Sequence, residues 1–181
     1  MSNPRYAVRS ALFAAAYLAA CLAAAATPFA PVPPLAAGAI WLAAQSGHGR
    51  RRLDVIMLAT AAAVAATLEG AGLLMAATVA VWAVVPALAF AMLLERWLPG
   101  YWRGHGDRFR RPRAALGPLA GAAALSAAAG VILAGVIDTG LDPATAAFHL
   151  SRDTAALILL TLGVRALRHS RKPRRPGLVV R

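Results

Sequence analysis

The sequence predicts an all-α, polytopic membrane bundle of about six transmembrane helices, with the N- and C-termini cytoplasmic. Three observations carry this expectation. Of 181 residues, 60% are hydrophobic and only 14% charged, far from the balance of a soluble globular domain. The apolar residues fall into runs that can cross a hydrocarbon core of about 30 Å. Of nineteen Lys and Arg residues, all but Arg152 fall into four clusters: Arg5 and Arg9, Arg50 to Arg52, Arg96 to Arg113, and Arg165 to Arg181. These clusters stand where alternate crossings would surface, so one side of the membrane, the cytoplasmic one, would hold almost every cation.

The first helix runs from Ala7 to Thr27, apolar apart from Arg9 and Ser10. Pro28, Pro31, Pro33 and Pro34 then forbid a regular helix, because each lacks an amide donor, and they predict a stiff external turn. Residues 35–46 make a second helix that is short for a crossing and would also suit a re-entrant segment. The charges decide between these. A crossing keeps Arg50, Arg51 and Arg52 beside anionic lipid on the inner side, whereas a failed crossing strands them outside. From Leu53 to Leu94 the chain is interrupted only by Asp54 and Glu69, and as one helix it would measure about 60 Å, twice the core thickness. It must fold back, and Glu69-Gly70-Ala71-Gly72 combines a central charge with two turn-forming residues. This gives helices over 53–68 and 71–94.

Glu95 to Arg113 is basic, with Trp97, Tyr101, Trp102 and Phe109 interleaved and Pro99, Gly100, Gly104 and Gly106 breaking any long helix. It reads as a cytoplasmic loop at headgroup level. A fifth helix over 114–137 has no charge and carries Gly117, Gly121, Ser126 and Gly130 at spacings that admit a close neighbour. Asp138 and Asp142 form an acidic external loop, and Asp142-Pro143 is a helix start: a carboxylate cap, then Pro in the first turn. The sixth helix covers 144–167, so residues 1–168 form one transmembrane domain. Residues 169–181 make a basic tail broken by Pro173 and Pro176.

A net charge of +12 is one mark of a nucleic-acid binder, but the cations alternate with apolar runs instead of forming one face. Anionic lipid headgroups are the expected counter-charge, and no nucleic-acid partner is expected. The dominance of Ala and Arg suggests a bacterial source, hence the bacterial cytoplasmic (inner) membrane. Leu18-Ala19-Ala20-Cys21 has the outline of a lipoprotein signal, which would make Cys21 a lipidation site. The apolar run continues through Ala26, and an unmodified cysteine in an Ala-rich helix is the plainer reading. His48, His105 and His169 stand in loops at unrelated spacings, so no metal or other cofactor is expected. No phosphate-binding glycine loop, nucleophile elbow or zinc-protease helix occurs, and the expected chain is not an enzyme.

Functional residues are sought where charge enters an apolar helix, because such groups are costly and face the bundle interior. Arg152 and Asp153 lie inside the sixth apolar run. As sequence neighbours they point different ways on a helix, so each is expected to find a partner elsewhere. His149 precedes them by three and four residues on a shared face. Glu69, at the outer hairpin turn, is expected at similar depth, and Glu69, His149, Arg152 and Asp153 together predict one polar cluster or ligand pocket that opens outward or is buried just beneath the external surface. The alternative is a structural ion pair that fixes helix register. Trp41 and Trp82 are expected to pack.

Pro33-Pro34 followed four residues on by Gly38, the basic loop, the long hairpin, and Phe148 ahead of Arg152-Asp153 make a pattern over roughly residues 30–168. In these features the chain resembles the bacterial membrane-associated sensor domain, type one, of the MASE family. The resemblance implies an integral-membrane sensory module. Its usual cytoplasmic output, a diguanylate cyclase or histidine kinase, would be absent or supplied separately here, and the family usually has eight helices against six. A possible partner is thus a cytoplasmic signalling protein. Six short helices with an outward pocket also resemble the substrate-binding subunit of an energy-coupling-factor vitamin transporter, whose partners would be transporter subunits. An intramembrane enzyme would require paired catalytic groups in the pocket, which are not evident.

Overall fold

The computed structural model describes residues 4–26, 34–44, 48–102, 112–137 and 140–170. They form six helices: α1 (Pro4–Ala26), α2 (Pro34–Ala44), α3 (His48–Leu68), α4 (Leu73–Trp97), α5 (Pro112–Ile137) and α6 (Pro143–Ser170). Several extend beyond the apolar runs. α3 begins at His48 and takes Arg50 to Arg52 into its first turns, α4 continues through Glu95 and Arg96, and α6 carries Arg165 and Arg168. Arg, Glu and Lys are good helix formers, so a helix need not stop where hydrocarbon gives way to headgroups. The predicted proline turn before Pro34, the loop residues Gly104, Gly106 and Phe109, Asp138, and the tail after Ser170 lie outside the described residues.

Among the described residues, four helices are long and apolar enough to cross a membrane: Tyr6–Ala23, Leu73–Trp97, Ala115–Ile137 and Pro143–Arg168. The eleven residues of α2 rise only about 16 Å, half the core thickness. α3 has the length, but Arg50, Arg51, Arg52 and Asp54 crowd its first turns. The outer surface is rich in large apolar side chains, among them Leu12, Ile56, Leu73, Leu74, Ile132 and Leu159. So much exposed aliphatic surface on every long helix suits lipid as solvent.

The short helix is the hub. α2 packs on α1, α3, α4 and α6, while α1 otherwise meets only α3 and α6 otherwise meets only α5; α4 bridges α3 and α5. Leu35, Leu42, Leu58, Phe90, Leu119 and Leu157 are fully or almost fully buried around it. In lipid, burying Leu gains little, so close approach and interhelical hydrogen bonds must hold such a bundle. Both are present. A Cβ on Gly38 would come within 3.0 Å of Leu58 Cδ1, and one on Gly130 within 3.3 Å of Leu35 Cδ1. α4 and α5 are joined by two side-chain donors: Trp82 Nε1 to the Gly130 carbonyl (3.0 Å) and Ser126 Oγ to the Pro86 carbonyl (2.7 Å).

The chain reverses between α3 and α4 at the predicted tetrad. Gly70 takes φ 92°, the Gly70 amide donates to the Thr67 carbonyl and the Ala71 amide to the Ala66 carbonyl. This is the Schellman closure, which needs a residue at ease in the left-handed region at the position of Gly70. At the start of α6, the Asp142 carboxylate accepts from the Thr145 amide at 3.2 Å, as its place before Pro143 suggests.

Candidate functional site

α6 places its charged pair about ten residues, or roughly 15 Å, from its first turn, near the middle of the helix. Asp153 turns inward and is 4% exposed, whereas Arg152 is exposed. Contrary to the sequence expectation, the two neighbours do pair: Arg152 Nε donates to Asp153 Oδ1 at 3.1 Å. Their Cα–Cβ bonds diverge on the helix, but the long Arg side chain can curl back, which a rule based on backbone direction alone overlooks. The same guanidinium lies 5.9 Å from the ring centroid of Phe148, four residues earlier. His149 is half-buried with its ring edge-on to Phe148 at 5.9 Å. His149, Arg152 and Asp153 thus share one stretch of α6.

Glu69 does not join them. It is exposed in the turn between α3 and α4, it forms no ion pair with Arg152, and neither α3 nor α4 packs on α6. Position along the membrane normal can be read from sequence; position around the bundle depends on which helices pack together. α2 lies between α6 and the α1–α3 side. The proposed four-residue pocket therefore reduces to a three-residue polar stretch on α6. Among the described residues no three His, Cys, Asp or Glu side chains converge.

Sequence reasoning missed a second buried carboxylate. Asp54, in the first half of α3, is fully buried and accepts from Tyr6 Oη at 2.7 Å and Ser10 Oγ at 2.8 Å. Tyr6 and Ser10 are spaced i, i+4, so one face of α1 presents both hydroxyls. The same face continues as Phe13 and Tyr17, and Phe13 stacks flat on Trp41 of α2 with centroids 4.2 Å apart. An i, i+4, i+7, i+11 stripe of polar and aromatic groups in α1 was the available signal.

The side-chain pairings also define the two ends of the bundle. Tyr6 and Ser10 with Asp54 join the starts of α1 and α3; Arg9, 5.2 Å from the Trp41 centroid, joins the start of α1 to the end of α2. Arg165 over Tyr101 (4.7 Å) and Arg168 over Trp102 (4.9 Å) join the end of α6 to the turn after α4. Every described cation except Arg152 thus belongs to the half of a helix nearest one basic end, and Glu69 and Asp142 mark the other.

This defines a class: an all-helical bundle with, among the described residues, four membrane-length apolar helices, a buried polar point at mid-helix and one basic end. No family model, no curated protein and no solved structure matches the chain.

Proposed function

We propose that the chain is a signal-input module of the bacterial cytoplasmic membrane, crossing it about six times and catalysing no reaction. In this reading it passes a ligand or membrane signal to a cytoplasmic partner. The observation that carries the reading is the make-up of α6. One continuous helix holds the Arg152–Asp153 pair at its middle and Arg165 and Arg168 on aromatic rings at its basic end. Among the described helices it packs on α2 and α5, and its basic end rests on Tyr101 and Trp102 after α4, so a tilt or shift at the polar point reaches that end through one rigid helix. The resemblance to the membrane-associated sensor domain points the same way.

A second reading draws on a different feature. α2 is a half-length helix held at the centre of the bundle and entered through a proline-rich segment, an arrangement that membrane transporters use around a substrate site. A substrate-binding subunit of an energy-coupling-factor transporter would have this feature too. Purification of the tagged chain in mild detergent, followed by native mass spectrometry, separates the two. A co-purifying cyclase or histidine kinase supports signal input. An ATPase with a coupling subunit, or a retained vitamin-sized molecule lost in Asp153→Ala, overturns it in favour of transport.

A further inference from the structure

Of the four described helices long and apolar enough to cross a membrane, α6 alone carries charged side chains more than one turn from either end of its span. Arg152 and Asp153 are paired, but they differ in what surrounds them: the Asp153 side chain is 6% exposed and that of Arg152 40%. The positive end of the pair thus lies on the outside of the bundle. Phe148, Arg152, Ala155, Leu159 and Gly163 recur at i, i+4, i+7, i+11 and i+15 and are all exposed, whereas Asp153, Leu157 and Thr161 form the buried face opposite. A guanidinium has five N–H donors. Nε serves Asp153, and the four on the Nη atoms of Arg152 have no acceptor among the described residues.

A charge held in hydrocarbon is costly and calls for a partner. Lipid phosphate is out of range: Arg152 stands about 14 Å from one end of its span and about 24 Å from the other, and an extended arginine side chain reaches roughly 7 Å. A second copy of the chain does not supply the acceptor. Of the seven acidic residues, Asp54 and Asp153 are buried and the other five lie at helix ends or between helices. Two copies joined along this face would also set Arg152 against Arg152. A carboxylate matches the guanidinium in charge and geometry. Ala155 and Gly163 leave room for another helix, and a Cβ on Gly163 would meet nothing within 4 Å. We propose that this face of α6 docks a transmembrane helix of another protein, one that carries an Asp or Glu at mid-membrane depth opposite Arg152. The docking face stands whether the chain serves signal input or transport.

Energy transfer from the tryptophans of the full chain to dansyl-labelled host peptides tests it in phosphatidylcholine vesicles. The hosts are Leu/Ala helices of about twenty residues with Glu, Leu or Lys at the centre. The Glu host is expected to accept energy at about tenfold lower mole fraction than the Leu host, the effect of one or two interhelical polar contacts, and the Lys host should do no better than Leu. Arg152→Leu should erase the preference for Glu. So should Ala155→Phe, which adds bulk to the exposed face alone, whereas Arg52→Gln, a cation at the basic end, should leave it unchanged. Equal transfer to the three hosts overturns the proposal, as does a preference that survives Arg152→Leu or vanishes in Arg52→Gln. Should Arg152→Leu fail to purify as one species, Ala155→Phe decides, and a preference persisting there overturns it. A disulfide-linked dimer formed by Ala155→Cys without peptide, and not by the parent, would assign the face to a second copy and overturn the partner as well.

Discussion

Asp54 has no exposed surface, and its carboxylate oxygens accept from the hydroxyls of Tyr6 and Ser10. A hydrogen bond is worth about 0.5–1.5 kcal/mol, and up to about 3 kcal/mol to a charged group, and removing the acceptor takes this partner from both hydroxyls. Asp54→Ala is therefore expected to lower stability by about 2–4 kcal/mol, seen as a clear drop in the unfolding midpoint in detergent, with Ser10→Ala costing roughly half as much. A midpoint for Asp54→Ala indistinguishable from the parent would show that the network holds nothing together. The hydroxyl pair on α1 was legible in the i, i+4 spacing. Its acceptor, 44 residues beyond Ser10, was not, because an Asp after an Arg run reads as a solvated charge until α3 is packed against α1.

At the scale of the helices, α2 and its neighbours turn on close approach. Gly38 lies where α1, α2 and α3 meet, with Leu58 Cδ1 at 3.0 Å, Leu58 Cδ2 at 3.2 Å and Tyr17 Cε2 at 3.6 Å from the position its Cβ would take. Gly117, inside α5, has nothing within 4 Å. Gly38→Val is expected to force Leu58 aside and cost about 1–3 kcal/mol, while Gly117→Ala should stabilise by up to about 1 kcal/mol through helix propensity alone. Thermal unfolding of the two variants side by side checks this, and equal shifts of the same sign would refute the contrast. Both glycines look alike in the sequence. Whether a glycine marks a contact depends on what faces it, and for Gly38 that is a leucine twenty residues away in another helix.

For the molecule as a whole, the basic clusters and the packing agree on which helix ends lie together. The starts of α1 and α3 share an end with the finishes of α2, α4 and α6, and Gly70 and Asp142 fall at the other. Reporter fusions after Gly70 and Thr139 are therefore expected on the outer side of the membrane, and fusions after Gly106 and Arg181 in the cytoplasm. Reporters after Gly70 and Gly106 found on the same side would overturn the threading of α4, the most hydrophobic of the long helices.

The sequence by itself determined that the chain is helical with apolar runs of membrane-crossing length, where α3 reverses into α4, how α6 is capped, and that cations gather at alternate helix ends. These properties are local or periodic: length against the core, hydropathy, glycine in a left-handed turn, a carboxylate ahead of Pro143. Only the tertiary structure decided that α2 is the hub, that Asp54 is held by α1, that Arg152 turns back onto Asp153, and that Glu69 stays apart from both. Those facts depend on angular position around the bundle. In a chain of Ala-rich helices with weakly distinguished faces, that position is fixed by a few glycines and polar contacts between segments far apart in sequence.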